Sequence, residues 1–142
     1  MNRNCIGSVF VLALLSLTFM CLPVCAAKKE KRSVVRLETT EGVIRIALSD
    51  LTPKHRDNFL RLVGEGFYDG VLFHRVIKDF MIQTGDPYSR QPECDSLIGE
   101  GGPGYTLPAE IVFPELFHVR GCVAAAREGD DVNPDFRSSG SQ

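Results

Sequence analysis

Five side chains that together suit the binding of a small uncharged group lie close to one another near the middle of the sequence. Arg75 offers a guanidinium, Met81 a thioether and Gln83 an amide, and the aromatic rings of Phe73 and Phe80 accompany them. All five fall within eleven residues. An apolar pocket with a few fixed hydrogen-bond donors is the usual way for a protein to bind such a group. The spacing therefore indicates a binding pocket around Arg75.

Two short strands joined by a tight turn are predicted to position these residues. Apolar runs flank the polar pair Lys78-Asp79, and Gly85-Asp86-Pro87 ends the second run. Alternate side chains of a strand share one face of the sheet. We therefore expect Arg75 on one face of the first strand, and Met81 with Gln83 on one face of the second.

The same residue types also allow a plainer interpretation. Phe73, Ile77 and Ile82 belong to types that most often fill a protein core. Arg75 taken alone is equally compatible with a surface charge whose stem lies over a sheet. His74 faces the opposite side from Arg75, and no second ligand stands at metal-binding spacing, so we interpret it as a packed or hydrogen-bonded histidine. Spacing alone does not decide between a pocket and a core.

The segment resembles the signature of the cyclophilin-type peptidyl-prolyl isomerases. That signature reads Phe-His-Arg, two aliphatic residues, a turn, Phe-Met-x-Gln and then Gly-Asp, and this sequence matches it in register at residues 73–75, 80–81, 83 and 85–86. Lys78-Asp79 stands where the family often has Pro-Gly, and Thr84 stands where it often has glycine. These departures affect the turn more than the site.

The resemblance implies an enzyme that accelerates rotation about X-Pro peptide bonds in exported proteins, without a covalent step, a metal or a cofactor. Arg75 would be the catalytic residue and would donate a hydrogen bond to the prolyl nitrogen. Phe80 and Met81 would hold the proline ring, and Gln83 would hold the substrate or Arg75. Two other functions stay open, a proline-peptide binding or chaperone module without turnover and a non-enzymatic β-barrel carrier.

A second block, His118–Arg127, resembles the family strand whose small residues form the floor of the proline pocket. Ala126 matches the pocket alanine, and Gln142 stands at the position of a site glutamine. Arg127 stands where many eukaryotic members have an asparagine that contacts substrate through its backbone. The resemblance therefore implies that Ala126, Arg127 and Gln142 bind substrate, and that Arg127 could alter the preference for the residue before proline.

The resemblance covers about residues 33–142 and implies a fold that is mainly β with α, an antiparallel β-barrel capped by helices. Residues 105–110 are similar to the version found in bacterial members. The family continues with further strands and a helix, so the resemblance also implies a domain that is incomplete at its C-terminus and lacks those elements. We expect a chain that ends at Gln142 to fold poorly alone, because a barrel left open exposes sheet edges.

Local patterns predict the elements around the pocket. Strands are expected at Val34–Thr39 and Val43–Leu48, joined by a hairpin turn whose glycine adopts positive φ. A helix should begin with Thr52 as its N-cap, with Pro53 at the first helical position, and run to about Glu65. We predict that the helix buries Phe59, Leu60, Leu62 and Val63, that Ile111, Val112, Phe113, Leu116 and Phe117 pack inward, that residues 99–104 form a loop, and that His55 is exposed without a role.

Residues 1–26 have the composition of a secretory signal peptide. Arg3 supplies a positive start, residues 6–22 are mostly apolar, and small residues precede a cleavage point after Ala26. The protein is therefore expected to be exported to the periplasm or secreted, with residues 27–32 as a basic lead-in to the domain. Lipoprotein anchoring through Cys25 is the alternative.

Composition and net charge limit the classes of partner that the protein is expected to bind. The chain has 142 residues, 44% of them hydrophobic, which suits one globular domain, and a formal net charge of −2 gives no electrostatic case for binding nucleic acid. We expect a monomer without a membrane span in the mature chain, whose partners are proline-containing polypeptides and cyclic-peptide inhibitors. Cys94 and Cys122 remain after cleavage of the leader, and the sequence does not decide whether they form a disulfide or whether Cys122 lies in the core.

Overall fold

A computed structural model describes residues 32–142. The predicted signal peptide at residues 1–26 and the lead-in at residues 27–31 lie outside the described residues, so those interpretations remain predictions. The described part contains short strands, one α-helix and two 3₁₀ helices. In chain order they are β1 (Val34–Thr39), β2 (Gly42–Ala47), α1 (Pro53–Gly64), β3 (Arg75–Ile77), β4 (Met81–Gln83), the 3₁₀ helices Pro87–Arg90 and Pro92–Leu97, β5 (Thr106–Leu107) and β6 (Ser138–Ser139).

The strands form three antiparallel pairs, β1 with β2, β3 with β4, and β5 with β6. In the first pair the register runs from Val34 opposite Ala47 to Thr39 opposite Gly42. Gly42 has a φ of +129°, which favours glycine, and the Thr39 hydroxyl donates to its carbonyl at 2.8 Å. The predicted hairpin is confirmed, with β2 starting and ending one residue earlier than expected. In residues 32–142 the three pairs do not close into a barrel.

The helix α1 begins where Thr52 and Pro53 predicted it, but its N-terminus is capped from elsewhere. Thr52 makes no side-chain capping hydrogen bond. The backbone N–H groups of Lys54 and His55 instead donate to the two carboxylate oxygens of Glu110, at 3.0 and 2.9 Å. A distant carboxylate therefore satisfies donors that a helix otherwise leaves unpaired at this end.

His55 was expected to be exposed without a role, and this expectation is wrong. Its side chain is only 20% exposed, and Nδ1 lies 2.7 Å from Oε2 of Glu110. The partner stands 55 positions further along the chain, so local spacing gave no sign of it. The imidazole and the carboxylate together join the start of α1 to the segment after β5.

Few hydrophobic side chains are buried in the described part, and several packing expectations are wrong. Leu62 is 1% exposed and Val35 is the other buried apolar residue, while Val63 is exposed. Phe59 is partly buried, and its ring centroid lies 5.1 Å from that of Tyr68. Four apolar side chains that were predicted to pack inward are exposed, namely Ile111, Phe113 (76%), Leu116 and Phe117. Ile77 and Ile82, for which a core position was one interpretation, are exposed as well. These side chains are apolar, but no described helix or strand covers them.

The block at residues 118–127 was predicted as a strand and does not form one. Only Ala126 is tied to a neighbouring segment, because its N–H donates to the Gln142 carbonyl at 2.9 Å and its carbonyl accepts from Ser139 N–H at 2.7 Å. Gly121, Cys122 and Val123 instead line a cavity of about 370 Å³ together with residues 44–47 of β2. These residues pair with no strand in residues 32–142, and Cys122 is exposed rather than part of a core.

Two further expectations can be compared with the described residues. Residues 99–104 form a loop, as predicted. Cys94 and Cys122 are both free thiols. None of the helices within residues 32–142 has the length and apolar character needed to cross a bilayer.

The pKa of the Glu110 carboxyl reflects these contacts. Partial burial by itself raises it, but the hydrogen bond with the His55 ring and the two backbone N–H donors lower it more, so the net pKa lies below its ordinary value of 4.5. A carboxyl whose native pKa is lowered stabilises the fold above its ordinary pKa. That stabilisation is lost as the pH falls through the lowered native value.

We expect Glu110→Gln to lower the free energy of unfolding by about 1–3 kcal/mol at neutral pH, because a carboxamide cannot accept from both backbone N–H groups and the imidazole at once. The difference from the unmodified protein should shrink once the pH falls below 4.5. Urea unfolding curves recorded at neutral and acidic pH measure both effects.

Glu65→Gln is the matched control, because Glu65 pairs with Arg61 at 2.9 Å on the exposed face of α1. This pair is expected to contribute only about 0.3–0.5 kcal/mol. If Glu110→Gln cost no more than Glu65→Gln, Glu110 would not be an anchor of α1.

Candidate active site

The β3–β4 hairpin places the side chains of Arg75, Met81 and Gln83 on one face. Arg75 pairs directly with Gln83, and Ile77 pairs with Met81. The predicted alternation within each strand is confirmed, and the register places the two sets of side chains on a common face. The turn between the strands needs one residue with positive φ. Asp79 occupies that position with a φ of +60°, a conformation that aspartate tolerates better than most residues. The turn therefore forms without the family's usual Pro-Gly.

Arg75 is linked to Gln142 through Gln83. The Arg75 guanidinium donates to Oε1 of Gln83 at 3.3 Å, and Nε2 of Gln83 donates to Oε1 of Gln142 at 2.8 Å. Nε2 of Gln142 then donates to the backbone carbonyls of Gly99 and Gly101, at 3.0 and 2.6 Å. Three residues predicted for the site from separate parts of the sequence are thus joined by direct hydrogen bonds.

Residues 138–142 are held against the hairpin by contacts along their length. Asn58 on α1 donates to the Gly140 carbonyl at 2.7 Å, and the Ser141 hydroxyl donates to the Gly85 carbonyl at 2.7 Å. The Tyr68 hydroxyl donates to the Ser141 carbonyl at 3.3 Å. Burial raises the pKa of Tyr68, with a further contribution from Tyr105, so its hydroxyl stays protonated as a donor. These bonds bring Gln142 to Gln83.

Close approach of the backbone requires glycine after β4. Gly85 has a φ of +98°, and a Cβ at this position would lie 2.0 Å from the Ser141 carbonyl oxygen. Gly140 is equally crowded, since a Cβ there would lie 2.6 Å from the carbonyl oxygen of Tyr105. No side chain fits at either contact without moving residues 138–142.

The remaining predicted substrate-binding residues have different surroundings. Ala126 is bonded to residues 139 and 142 through its backbone, so it lies beside Gln142. The Arg127 side chain contacts Asp130 at 2.5 Å and lies over the Phe136 ring, 5.1 Å from its centroid. Arg127 is therefore engaged with its own loop through the guanidinium.

Phe80 and Met81 follow one another at the start of β4 but differ in burial. Phe80 is 77% exposed in the turn, whereas Met81 is partly buried on the strand. Met81 therefore adds an apolar side chain to the face that carries the Arg75–Gln83 pair, and Phe80 is exposed apolar surface in the turn.

Asp86 belongs to the matched motif, but the sequence did not predict a role for it. It is 0% exposed, and its Oδ1 accepts from Tyr88 N–H at 2.7 Å. Its Oδ2 accepts from Gly101 N–H at 3.1 Å and also from Gly99 N–H. An aspartate directly before a proline is a helix-capping signal, which would have indicated the first of these bonds. Nothing local would have indicated the two glycines.

His74 is packed rather than hydrogen-bonded. Both ring nitrogens are buried, and neither has a partner among the described residues. Within residues 32–142 no group of three or more His, Cys, Asp and Glu side chains is placed to hold a metal ion.

Comparison with known proteins adds to this geometry. The profile of the family described as "Cyclophilin type peptidyl-prolyl cis-trans isomerase/CLD" matches residues 34–142. Peptidyl-prolyl cis-trans isomerase 10 of Caenorhabditis elegans is 44% identical over 100 residues, covering 70% of this chain and 59% of the relative. A peptidyl-prolyl cis-trans isomerase of Synechococcus elongatus is 42% identical over 94 residues, covering 66% of this chain and 58% of the relative. One from Helicobacter pylori is 36% identical over 104 residues, covering 72% and 58%. The matches thus span less than two thirds of each of these relatives.

We predict that Gly85→Ala displaces residues 138–142 and destabilises the protein by more than about 1 kcal/mol, because the new Cβ meets the Ser141 carbonyl and the backbone has positive φ. The amide of Ala126, which donates to Gln142, should then exchange faster with solvent. Hydrogen exchange followed by NMR measures this directly.

Gly64→Ala makes the same chemical change at the end of α1, where a Cβ meets nothing within 4 Å. It should leave the Ala126 exchange rate unchanged and stabilise the protein by about 0.4–1 kcal/mol. Equal exchange rates in both variants would mean that residues 138–142 do not depend on Gly85.

Proposed function

Because the chain belongs to the family of cyclophilin-type peptidyl-prolyl cis-trans isomerases, we propose that it accelerates rotation about X-Pro peptide bonds in proline-containing polypeptides. The observation that carries this proposal is the placement of Arg75. Its guanidinium lies on the same face of the hairpin as Met81, is hydrogen-bonded to Gln83 and is open to solvent.

The reaction requires only that the barrier to rotation be lowered. Partial double-bond character of the peptide C–N bond sets that barrier at roughly 18–20 kcal/mol. For X-Pro bonds the cis and trans forms differ by only about 0.5–1 kcal/mol, so both are accessible once the barrier falls. The proline nitrogen loses conjugation and becomes able to accept a hydrogen bond only in the twisted transition state. A fixed donor at that nitrogen therefore binds the transition state more strongly than either ground state.

Arg75 has the properties that such a donor needs. A guanidinium carries five N–H groups in a rigid plane and stays protonated. One terminal nitrogen is held by Gln83, which leaves the other donors of the group for the prolyl nitrogen. A lysine ammonium at this position would lack the planar fork that sets the direction of the bond.

The surrounding residues would hold the substrate. Phe80 and Met81 offer apolar surface to the pyrrolidine ring next to Arg75. Ala126 has both backbone groups engaged by residues 139 and 142, so it would contact substrate through its methyl group. Among the described residues the backbone groups of Arg127 make no backbone hydrogen bond, which supports a main-chain contact to substrate there. Gln142 would bound the site beyond Gln83, to which it is hydrogen-bonded at 2.8 Å.

The setting and the complete architecture are proposals of the same kind. The composition of residues 1–26 supports export to the periplasm or the exterior, with lipoprotein anchoring at Cys25 as the alternative. Intact mass measurement of the exported protein would test cleavage after Ala26 or modification at Cys25. We also propose that the protein acts as a monomer and binds cyclic peptides that present the same backbone as its substrates.

A closed antiparallel barrel capped by helices is the proposed architecture of the whole domain. The support lies in the three strand pairs, of which β1–β2 pairs with no third strand in the described residues, and in exposed apolar side chains such as Val34 and Val43. Unpaired edges of this kind are normally covered in folded proteins. Protection of the outward-facing amides of β1 and β2 from hydrogen exchange would support closure, and rapid exchange would contradict it.

Arg75→Ala is expected to lower kcat/KM on an X-Pro peptide by about 10²–10³, as removal of a preorganised donor does elsewhere. Peptide affinity should change far less, because the bond forms mainly in the transition state. A coupled or NMR exchange assay gives the rate, and titration with the same peptide gives the affinity.

Arg36→Ala is the control, because Arg36 forms an exposed pair with Glu38 on β1 and is remote in sequence from the site. It should leave both quantities unchanged. Equal losses of rate and affinity in Arg75→Ala would contradict the mechanism. Peptide binding by the unmodified protein without acceleration would favour a binding module.

Arg127→Ala should leave kcat/KM within about threefold of the unmodified protein, because an exposed ion pair and cation–π contact within the loop contribute little. Any effect should fall on the residue before proline. A series of peptides that differ only at that residue measures it, and a uniform loss across the series would mean that the side chain contacts the proline itself.

A further inference from the structure

The side-chain amides of Gln83 and Gln142 each have one orientation that suits all their neighbours. An amide presents two N–H donors at nitrogen and acceptor lone pairs at oxygen. Both donors of Gln142 are directed to the carbonyls of Gly99 and Gly101, at 3.0 and 2.6 Å. Its oxygen must therefore face Gln83.

The orientation of the Gln142 amide fixes the orientation of the Gln83 amide on the hairpin. Because the oxygen of Gln142 faces it, Gln83 must present its nitrogen, and it donates across 2.8 Å. The oxygen of Gln83 is then left to face Arg75, whose guanidinium donates to it at 3.3 Å. Reversal of the Gln83 amide would place a donor against the guanidinium, and reversal of the Gln142 amide would place its donors against those of Gln83. Two backbone carbonyls thus decide that Arg75 meets an acceptor.

The loop that carries these carbonyls is fixed by Asp86. The carboxylate is 0% exposed and accepts N–H groups from Gly99 and Gly101, the same two residues whose carbonyls meet Gln142. Its other oxygen accepts from Tyr88 N–H at 2.7 Å. The fit requires glycine at 101, since a Cβ there would lie 2.0 Å from Oδ1 of Asp86.

We propose that Asp86 is a positioning residue for the isomerisation, which acts through the loop at residues 99–101 and the two glutamine amides to fix the direction of the Arg75 donor. This inference rests on the proposed function. Asp86 bonds backbone groups and is buried, so its effect should reach the reaction only through Arg75. An effect of that kind falls on kcat, because orientation matters most in the transition state.

Two variants test the relay at different points. Asp86→Asn keeps the size of the side chain but turns one acceptor into a donor, which must then face a backbone N–H. Gln142→Glu keeps the acceptor for Gln83 but cannot donate to the two carbonyls. We expect each to lower kcat about tenfold with KM within about twofold, as for an interaction made mainly in the transition state.

The double variant separates a relay from two independent losses. If both residues act through Arg75, Asp86→Asn combined with Gln142→Glu should be about as slow as the slower single variant, since coupled residues are not additive. Asp95→Asn is the control, because Asp95 is exposed in the second 3₁₀ helix, and it should leave kcat unchanged. Multiplied losses in the double variant would overturn the relay.

The NMR signal of the Arg75 side-chain Nε–H provides a reading that does not need activity. In the unmodified protein it should be a single sharp resonance, and in either variant it should shift and broaden as the guanidinium loses its fixed partner. If the unmodified protein is inactive, the proposed function fails and this signal still tests the relay. If Asp86→Asn does not fold, the Arg75 signal in Gln142→Glu still tests the relay from the loop carbonyls to Arg75. An Arg75 signal unchanged in Gln142→Glu would overturn the proposal.

Discussion

The hydrogen bond between the side-chain amides of Gln83 and Gln142 joins the two halves of the candidate site, and its geometry depends on close backbone contact. The residues are 59 positions apart and meet at 2.8 Å. Residues 138–142 approach so closely that glycine is required at Gly85 and Gly140. The same contact leaves the oxygen of Gln83 to face Arg75, whose guanidinium donates to it at 3.3 Å. The polar part of the site is therefore a consequence of backbone packing.

Local sequence patterns predicted the structural elements that depend only on residues near one another in the chain. The β1–β2 hairpin, the start of α1 and the shared face of Arg75, Met81 and Gln83 follow from periodicity and turn residues. Patterns failed where a partner lies far along the chain. His55 gave no sign of Glu110, and the two glycines that bind Asp86 could not be inferred from its neighbours. Such contacts depend on tertiary approach, which spacing does not encode.

The hydrophobic character of a residue did not reliably predict whether its side chain is buried. Phe113 and Ile111 are apolar and were expected inside, yet they are exposed, because an apolar side chain is buried only where another element covers it. The family resemblance identified the site residues more specifically than composition did. Arg75 considered alone is compatible both with a surface charge and with a hydrogen-bond donor in a pocket. Its register opposite Gln83 adds a geometric reason to prefer the donor. The roles of the individual site residues remain predictions.

The exposure of Arg75 gives a physical reason why its orientation would matter for the proposed reaction. In solvent a charge interacts weakly, because water screens it and competes for its hydrogen bonds. An exposed guanidinium therefore gains little catalytic advantage from charge alone and must rely on being held in the right direction before substrate arrives. Gln83 supplies that restraint at one nitrogen. Apolar surface on Phe80 and Met81 would then exclude water when a proline ring lies against it, so that the donor acts in a drier environment where it is stronger.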